Sequence, residues 1–510
     1  MHSKNANLNI LLVYPRYPDT FWSFKHALRF TSKEAAFPPL GLLTVAAMLP
    51  DKWPKKLVDM NTSYLWDKEI KWADYVFISA MSVQQKSARN IIKRCNKLGT
   101  KVVCGGPLFT SEYYEFDSVD HFVLGEAEVT LQPFLDDLRN GCAKHIYSSD
   151  ERPTLTETPI PMWELIDIKK YHTMSLQYSR GCPFDCEFCD ITVLNGRVPR
   201  TKSGDQFVAE LEALRKRGWR GDVLVVDDNF IGNKRKLKYD ILPAMIEWME
   251  ANRNPFALFT ETSINLADDD ELMRLMLRAN FIRVFVGIET PNEDSLIECN
   301  KFQNKKRDLI SSIKKIQNYG ILVDGGFIVG FDNDTKSIFD KQIEFIQKSG
   351  IVTAMVGLLN APVGTKLYKR LEKENRLVTR ITGDNTDGSI NFVPKMDLKD
   401  LVGGYNRIIH TIYKYSNYYE RIKTLIRELK LKYHQRKSFS YTTQEYLLYV
   451  KAFIKSIWHI GLKGKGRMHY WKLLGWTLLK HPRALAVSIT LAIYGVHFRR
   501  MAEYYTGIAF

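Results

Sequence analysis

Three cysteines within one short stretch are the residues best suited to chemistry in this sequence. Cys182, Cys186 and Cys189 follow the pattern C-x3-C-x2-C and account for three of the seven cysteines in the chain. Closely spaced Cys thiolates on a loop hold iron–sulfur clusters. A 4Fe–4S cluster held by only three thiolates keeps one iron open, so the spacing predicts a cluster that binds an outside molecule.

Zinc and a structural accident are the two alternatives for this loop. Structural zinc is closed by four ligands, and the stretch Tyr178–Asp190 contains no fourth Cys or His. The spacing therefore favours an iron–sulfur cluster.

The residues around the cysteines resemble the signature loop of the radical S-adenosylmethionine (SAM) superfamily. Phe188 stands directly before the last cysteine, and Arg180 and Gly181 stand directly before the first. The resemblance implies that SAM binds the open iron through its amino and carboxylate groups. It also implies an electron donor such as flavodoxin or ferredoxin, and cleavage of SAM to methionine and a 5′-deoxyadenosyl radical.

The elements that must position this loop form a repeating pattern over residues 171–390, after a Pro-rich linker at 151–170. Six β-like runs recur there, and each precedes a helix-like stretch. Such βα alternation predicts a parallel barrel or part of one, and six units match the partial (β/α)6 TIM-like barrel of radical SAM enzymes. The runs are Met174–Tyr178, Asp222–Val226, Ala257–Glu261, Arg283–Gly287, Leu322–Val329 and Thr353–Leu359.

The C-terminal ends of barrel strands carry the chemistry, and the resemblance assigns SAM-binding roles there. Family members place hydroxyl and carboxylate groups, here Glu261 and Ser263, on the ribose and carboxylate of SAM. Ile328 and Gly330 belong to an element that resembles the family's G-x-I-x-G beside adenine. The predicted SAM-binding residues are Phe188, Asp227, Asp228, Glu261, Ser263, Glu289, Ile328 and Gly330.

Two of these positions have an alternative role. The family often has Gly-Gly-Glu at the second strand end for the SAM amino group, and this chain has Asp227 and Asp228 instead. Either carboxylate suits an ammonium group, while helix capping by Asp is an equal alternative. For Glu289, the alternative is a cap for the helix that begins near Asn292.

Residues 1–150 carry short apolar runs bounded by Gly or Pro. The runs are Asn9–Tyr14, Lys56–Met60, Tyr75–Ala80, Lys101–Cys104 and His121–Leu124. Such runs predict buried parallel strands in a doubly wound, Rossmann-like α/β domain, whose ligands bind at the carboxyl ends of the strands. The candidate binding residues at those ends are Ser79, Met81, Gly105, Gly106, Gly125 and Glu126.

This segment resembles the cobalamin-binding domain of cobalamin-dependent radical SAM enzymes, through its position and through Pro38–Gly41 and Gly105–Pro107. The cobalamin motif D-x-H-x-x-G is absent, because Tyr14–Asp19 follows the first strand. The resemblance therefore implies cobalamin without a His ligand, and His26 and His121 are interpreted as surface or packing residues. Methylthiotransferases are a rival family with three further cysteines, but Cys95, Cys104 and Cys142 are not predicted to share a face.

The C-terminal segment, 391–510, is basic and predicted to be all-helical. Residues 411–510 hold 18 Lys or Arg against 4 Asp or Glu, with many aromatics that include Tyr433 and Tyr441. The apolar run within Arg483–Arg500 is shorter than the ~20 residues of a spanning helix. Peripheral contact with an anionic membrane and packing of this run on the barrel are both open, and no specific nucleic-acid motif is present.

Composition places the chain among globular proteins, with 45% hydrophobic residues. The sequence opens without a signal peptide and has few cysteines, so a reducing cytoplasm is expected, with the inner membrane face as a peripheral site. The domain order resembles the group that includes hopanoid 2-methylase. That resemblance implies methylation of an unactivated carbon in a lipid-like or other small-molecule substrate. A radical SAM oxidoreductase or cyclase without methyl transfer and a non-catalytic iron–sulfur or corrinoid sensor are the alternatives.

Overall fold

The computed structural model describes residues 7–429 and 443–509, so Tyr433 and Tyr441 lie outside the described residues. The N-terminal sheet has six parallel strands in the order β2-β1-β3-β4-β5-β6. The strands are β1 (Ile10–Tyr14), β2 (Lys55–Asp59), β3 (Tyr75–Ser79), β4 (Lys101–Gly105), β5 (His121–Val123) and β6 (Ile146–Tyr147). Five were predicted, and the two-residue β6 is too short for a pattern.

Helices cover both faces of this sheet, as predicted for a doubly wound domain. Alternate residues of β1 enter two separate cores, with Leu11 and Val13 in one and Ile10 and Leu12 in the other. The helices of this segment are α1 (Lys25–Thr31), α2 (Leu40–Met48), α3 (Asp67–Trp72), α4 (Gln85–Lys97), α5 (Pro107–Glu112) and α6 (Ala127–Asn140). Of these, α1 packs against the C-terminal helices instead of the sheet.

The second sheet contains six parallel strands in the order β14-β13-β12-β11-β10-β7, the partial barrel that the sequence predicts. These are β7 (Met174–Leu176), β10 (Gly221–Val225), β11 (Phe256–Thr262), β12 (Phe281–Glu289), β13 (Leu322–Val329) and β14 (Ala354–Leu358). A two-stranded antiparallel ladder of β8 (Ser179–Arg180) and β9 (Arg200–Thr201) brackets the cysteine loop and was not predicted.

Helices of this segment follow the strands, and most of them pack on the outer face of the sheet. They are α7 (Ile191–Leu194), α8 (Gly204–Lys216), α9 (Lys234–Lys236), α10 (Leu242–Ala251), α11 (Asp270–Arg278), α12 (Glu293–Glu298), α13 (Leu309–Tyr319), α14 (Ile338–Ser349) and α15 (Lys366–Lys373). Val284, Val286 and Ile288 of β12 are fully buried in the main core. The intervening residues of β12 therefore face the hollow inside of the partial barrel.

The C-terminal segment is helical where it is described. Its helices are α16 (Leu398–Tyr413), α17 (Tyr415–Glu428), α18 (Thr443–Ser456), α19 (Arg467–Lys480) and α20 (Leu485–Thr506). The domain boundaries near 150, 170 and 390 stay predictions.

Helix α20 contains most of the apolar run for which membrane contact and packing were both open. The Phe498 ring stacks on Phe21 at 4.4 Å between centroids, and the Tyr418 hydroxyl donates to the Leu491 carbonyl at 2.8 Å. The run thus packs within the protein. Across 7–429 and 443–509, no helix has both the length and the apolar character that crossing a membrane requires.

Candidate active site

The cysteine loop lies between β8 and α7 at the mouth of the partial barrel. Cys186 is buried, while Cys182 and Cys189 are partly exposed, and all three thiols are free. The Cys182 amide donates to the Gly196 carbonyl at 3.2 Å, and the Cys189 amide donates to the Cys186 carbonyl at 3.2 Å. The backbone thus fixes the loop while the sulfur atoms stay available.

Polar groups from two other segments approach these sulfur atoms. The side-chain amides of Asn229 and Gln303 point at the sulfurs of Cys182 and Cys186, at 3.9 Å and 3.8 Å. Burial raises the pKa of both thiols, and the Lys301 ammonium opposes that shift. Donors and a cation around a sulfur favour its thiolate form.

The donor set has the chemistry of an iron–sulfur site. Three cysteines on one loop, approached by amide donors, are typical of iron–sulfur ligation, in which hydrogen bonds to sulfur tune the cluster. Within the described ranges, no group of three or more His, Cys, Asp or Glu side chains converges to hold a metal ion. The role of the three cysteines stays a prediction.

Asp227 and Asp228 at the end of β10 have different surroundings. Both oxygens of the buried Asp227 accept hydrogen bonds, from the Tyr178 amide at 2.7 Å and from the Ser179 hydroxyl at 2.5 Å. Asp227 thus ties β8 to β10. Asp228 accepts from the Gly181 amide and the Asn195 side chain through Oδ2 alone, so its Oδ1 is available to a ligand.

Glu261 at the end of β11 points into the barrel mouth. Its side chain is exposed to the open mouth, and its carboxyl makes no hydrogen bond or ion pair with the described residues. Desolvation by the surrounding protein, and then the negative charge of Asp228, raises its pKa to about 7. A ligand in the mouth can therefore reach this carboxyl directly. Ser263 nearby donates its hydroxyl to Asn265 at 2.6 Å.

Glu289 at the end of β12 adopts a left-handed backbone conformation, with φ of 65°. The strand pairing shifts by one residue there, and non-Gly residues in this region cost about 1–3 kcal/mol. The distortion brings the buried Glu289 carboxylate to 2.6 Å from the Lys301 ammonium. Burial lowers the pKa of the Lys301 ammonium. The negative charges of Glu289 and of a Cys186 thiolate raise it by more, so the net shift of the pKa is upward.

An apolar wall adjoins the cysteine loop. Phe188 and Ile328 both pack against a small cluster that contains Phe331 and Leu359, and the Phe188 and Phe331 rings are 6.4 Å apart. Gly330 has φ of 105°, and its amide donates to Asp334 at 2.9 Å. The structure thus brings Phe188, Ile328 and Gly330 together, as a flat ligand ring would require.

The carboxyl edge of the N-terminal sheet is built from backbone and small residues. Gly106 has φ of 87°, and a Cβ atom there would overlap the Ser79 hydroxyl. A Cβ on Gly105 would lie 2.8 Å from the Val123 carbonyl. Met81 is 44% exposed beside this edge. Close packing on the ends of β3 and β5 therefore requires glycine at both positions, and the edge presents backbone to a ligand.

Gly125 and Glu126 complete this edge, but Glu126 already has partners. Gly125 has φ of 76°, and its amide donates to Thr110. The buried Glu126 carboxylate lies 2.8 Å from both Arg180 and Arg200 of the β8–β9 ladder. The cobalamin contact predicted for Glu126 stays a prediction, while the structure shows it joining the two sheets.

Several of these residues were missed at the level of sequence. Glu128 adds a second carboxylate to Arg180 at 2.9 Å. From the loop after α12, Gln303 reaches the Cys186 sulfur, and Lys301 pairs with Glu289 beside it. The three cysteines of the N-terminal segment do not converge: Cys95 and Cys104 are buried in one core, and Cys142 is exposed after α6. Only the position of Arg180 beside the cysteines could have signalled its role.

Comparison with known proteins agrees with this division. A model described as the radical SAM superfamily matches residues 176–346, and a B12 binding domain matches 30–135. A domain of unknown function, DUF4070, matches 365–507.

Two relatives match over most of their length. An uncharacterized methyltransferase, sll1242, of Synechocystis is 39% identical over 97% of this chain and 92% of the relative. The hopanoid C-2 methylase of Rhodopseudomonas palustris is 34% identical over 92% of this chain and 89% of the relative.

A solved structure shares the fold. The radical SAM methyltransferase TsrM of Kitasatospora setae, with cobalamin and a 4Fe–4S cluster bound, aligns over 92% of this chain and 100% of its own, with a TM-score of 0.57 and 14% identity. With the relatives and the matched domains, the conclusion is that this chain belongs to the cobalamin-binding-domain-containing radical SAM family, the group that includes the hopanoid C-2 methylase, and is a cobalamin-dependent radical SAM methyltransferase.

Proposed function

We propose that the enzyme methylates an unactivated carbon of a lipid-like substrate held inside the partial barrel. The 4Fe–4S cluster, SAM and cobalamin supply, when bound, the reductive radical chemistry and the transferred methyl group. Cys182, Cys186 and Cys189 would hold the cluster, and the Gly105–Gly106 edge would hold cobalamin.

The residues at the strand ends orient SAM. The exposed Glu261 carboxylate is available to accept from ribose hydroxyls, and the open oxygen of Asp228 is available to the SAM ammonium. Phe188 and Ile328 form an apolar wall for the adenine ring. Asn229 and Gln303 donate towards the cysteine sulfurs, which stabilises the thiolate form.

The inside of the barrel carries the substrate proposal. Below the charged strand ends, the inner faces of β11, β12 and β14 present Phe259, Phe285 and Met355, all partly exposed. Trp22 from the N-terminal domain lies 5.3 Å from Phe285 and donates to Met355 sulfur at 3.1 Å. An aromatic, largely apolar wall binds an apolar substrate. A relative is named for methylating C-2 of hopanoids, and a substrate of that kind suits this wall.

Two partners complete the proposal. An electron donor such as flavodoxin or ferredoxin would supply the electron, and the cytoplasmic enzyme would reach a lipid-like substrate at the inner face of the membrane through its C-terminal domain.

Anaerobic reconstitution with iron, sulfide and hydroxocobalamin tests the proposal. After incubation with SAM, a strong reductant and a lipid extract, bound corrinoid, 5′-deoxyadenosine and S-adenosylhomocysteine are measured together. Both products with bound corrinoid support methyl transfer. 5′-Deoxyadenosine without S-adenosylhomocysteine would favour the oxidoreductase or cyclase, and uncleaved SAM would favour a sensor.

The apolar wall has its own test. Phe285→Asp should abolish methylation of the lipid substrate while cluster content is retained, because a buried charge is costly inside an apolar site. Tyr239→Asp, at a side chain that is 75% exposed, is the matched control. Unchanged methylation in Phe285→Asp would contradict an apolar substrate.

A further inference from the structure

Helix α19 exposes a continuous apolar face to solvent. Met468, Trp471, Leu478 and Leu479 are 44–86% exposed and share one side of the helix. The opposite side, with Tyr470, Leu473, Leu474 and Thr477, is buried. An ordinary amphipathic helix has one apolar stripe turned to the core, so the second stripe calls for a partner.

Helix α18 and the turn after it show the same arrangement. Ala452, Ser456 and Ile460 are buried at intervals of four residues, while Leu447, Ile454 and Trp458 are exposed on the other side. The Trp471 indole donates to the Gly461 carbonyl at 2.9 Å, which joins the two helices. The large apolar side chains exposed in this stretch are Tyr446, Leu447, Tyr449, Ile454, Trp458, Leu462, Met468, Trp471, Leu478 and Leu479.

The same surface is strongly basic. Residues 443–480 contain seven Lys or Arg and a single acidic residue, Glu445. Lys463, Lys472 and Lys480 are exposed, and the Lys463 ammonium lies 4.5 Å from the centre of the Trp458 ring. Basic side chains beside exposed Trp and Leu are the chemistry of helices that lie in the headgroup plane of an anionic bilayer.

We propose that this basic apolar face, formed by the exposed side of residues 446–480, docks on an anionic phospholipid bilayer without crossing it. The proposal deepens the membrane contact of the proposed function, and it moves that contact from the buried helix α20 to α18 and α19. A second copy of the chain is a poorer occupant, because a symmetric contact would set basic surface against basic surface.

The helices that carry the docking face contact a segment next to Trp22. The Lys455 ammonium binds the Arg29 carbonyl at 2.9 Å and the Ser32 hydroxyl at 2.8 Å, and His459 lies 5.8 Å from Phe30. Helix α1, which contains Arg29 and Phe30, follows the segment that carries Trp22. A bilayer on this face would therefore bring apolar substrates close to the apolar inside of the barrel.

Vesicle flotation of the reconstituted full chain tests the proposal. Wild-type protein should float with phosphatidylcholine vesicles that contain phosphatidylglycerol, and much less with phosphatidylcholine alone or at high salt. Trp458→Ser/Leu479→Ser and, separately, Lys463→Gln/Lys472→Gln/Lys480→Gln should each weaken binding at least about tenfold. The matched control Tyr64→Ser/Trp66→Ser removes aromatics that are 58% and 57% exposed on the N-terminal domain and should bind as wild type.

The outcomes are separable from those of the catalytic proposal. Variants that lose vesicle binding should still form 5′-deoxyadenosine from SAM, because the changed residues are far from the cysteine loop in sequence and exposed. The docking proposal would be overturned if wild-type protein did not bind vesicles or bound both lipid compositions equally. It would also be overturned if wild-type protein formed a dimer that the Trp458→Ser/Leu479→Ser substitutions dissociate. Loss of SAM cleavage in wild-type protein that still floats would overturn the catalytic proposal alone.

Discussion

The two strand-end edges of this enzyme are prepared for ligands in different ways. In the barrel, the edge presents polar side chains, among them the exposed Glu261 carboxyl without a protein partner, and a distorted backbone at Glu289. In the N-terminal domain, the edge presents glycines at Gly105 and Gly106, where the backbone packs too closely on its neighbours to admit a side chain. The first edge thus suits a ligand bound by charge and hydrogen bonds, and the second suits a large ligand bound by close approach of the backbone.

The two edges are joined by ion pairs. Arg180 and Arg200 of the β8–β9 ladder bind Glu126 and Glu128 at the end of β5. Because Arg180 directly precedes Gly181 and Cys182, the pairs hold the N-terminal edge next to the cysteine loop. Substitutions at four positions test this difference between the edges.

The largest expected effect is loss of the cluster. Cys186→Ala removes a ligand thiolate of the cluster. Bound iron, the visible absorbance of the cluster and the amount of 5′-deoxyadenosine formed should therefore fall to the level of a protein-free sample. Cys142→Ala, at an exposed cysteine in the N-terminal domain, should leave all three unchanged. SAM cleavage by Cys186→Ala would refute the assignment of the barrel edge.

The next effect concerns the link between the edges. Arg180→Ala should lower the free energy of unfolding by about 3 kcal/mol, because Glu126 and Glu128 would lose a partner in a largely buried pair. The ratio of S-adenosylhomocysteine to 5′-deoxyadenosine should also fall if the edges separate. Denaturant titration measures the first quantity.

The control for this prediction is a pair of the same chemistry at the surface. Arg139 and Asp136 are 2.9 Å apart with both side chains about half exposed, so Arg139→Ala should cost no more than about 1 kcal/mol. Equal losses of unfolding free energy in the two variants would mean that the interdomain pairs stabilise the protein no more than an exposed pair does.

A smaller effect is expected at the N-terminal edge. Gly106→Ala should weaken corrinoid binding by about tenfold or more while SAM cleavage continues, because the new Cβ would overlap the Ser79 hydroxyl at a positive φ and force the backbone of the edge to shift. Gly99→Ala shares the positive φ, at 73°, but meets no atom within 4 Å. The Gly99→Ala variant should be less stable but should bind corrinoid as wild type does. Corrinoid absorbance after gel filtration compares the two variants.

The smallest effect is a pH dependence at the barrel edge. Since desolvation and the charge of Asp228 raise the pKa of Glu261 to about 7, its carboxyl is protonated below that pH and accepts fewer hydrogen bonds. The kcat/KM for SAM should therefore rise several-fold as pH increases through 7 and then level off. Glu261→Gln should flatten this step, and an unchanged profile in the variant would remove Glu261 from the SAM site.

Sequence patterns predicted the strands of both sheets well, because each strand is marked by a local run of apolar residues. Five of the six N-terminal strands and all six barrel strands follow apolar runs between turn residues, and their order along the chain fixes which ends share an edge. The candidate residues at those edges could be named for the same reason. The pairing of Glu289 with Lys301 could not, because it depends on a one-residue shift between β12 and β13.

The sequence by itself determined the chemistry of this protein. The spacing of Cys182, Cys186 and Cys189 and the order of the strand ends along the chain can be read without knowing how the rest of the chain packs. Only the tertiary structure decided which apolar helix is available. Helix α20 is the more apolar in sequence, yet it is buried against Phe21 and Tyr418, while α18 and α19 keep Trp458 and Leu479 exposed. Burial depends on contacts between residues far apart in the chain, which composition cannot specify.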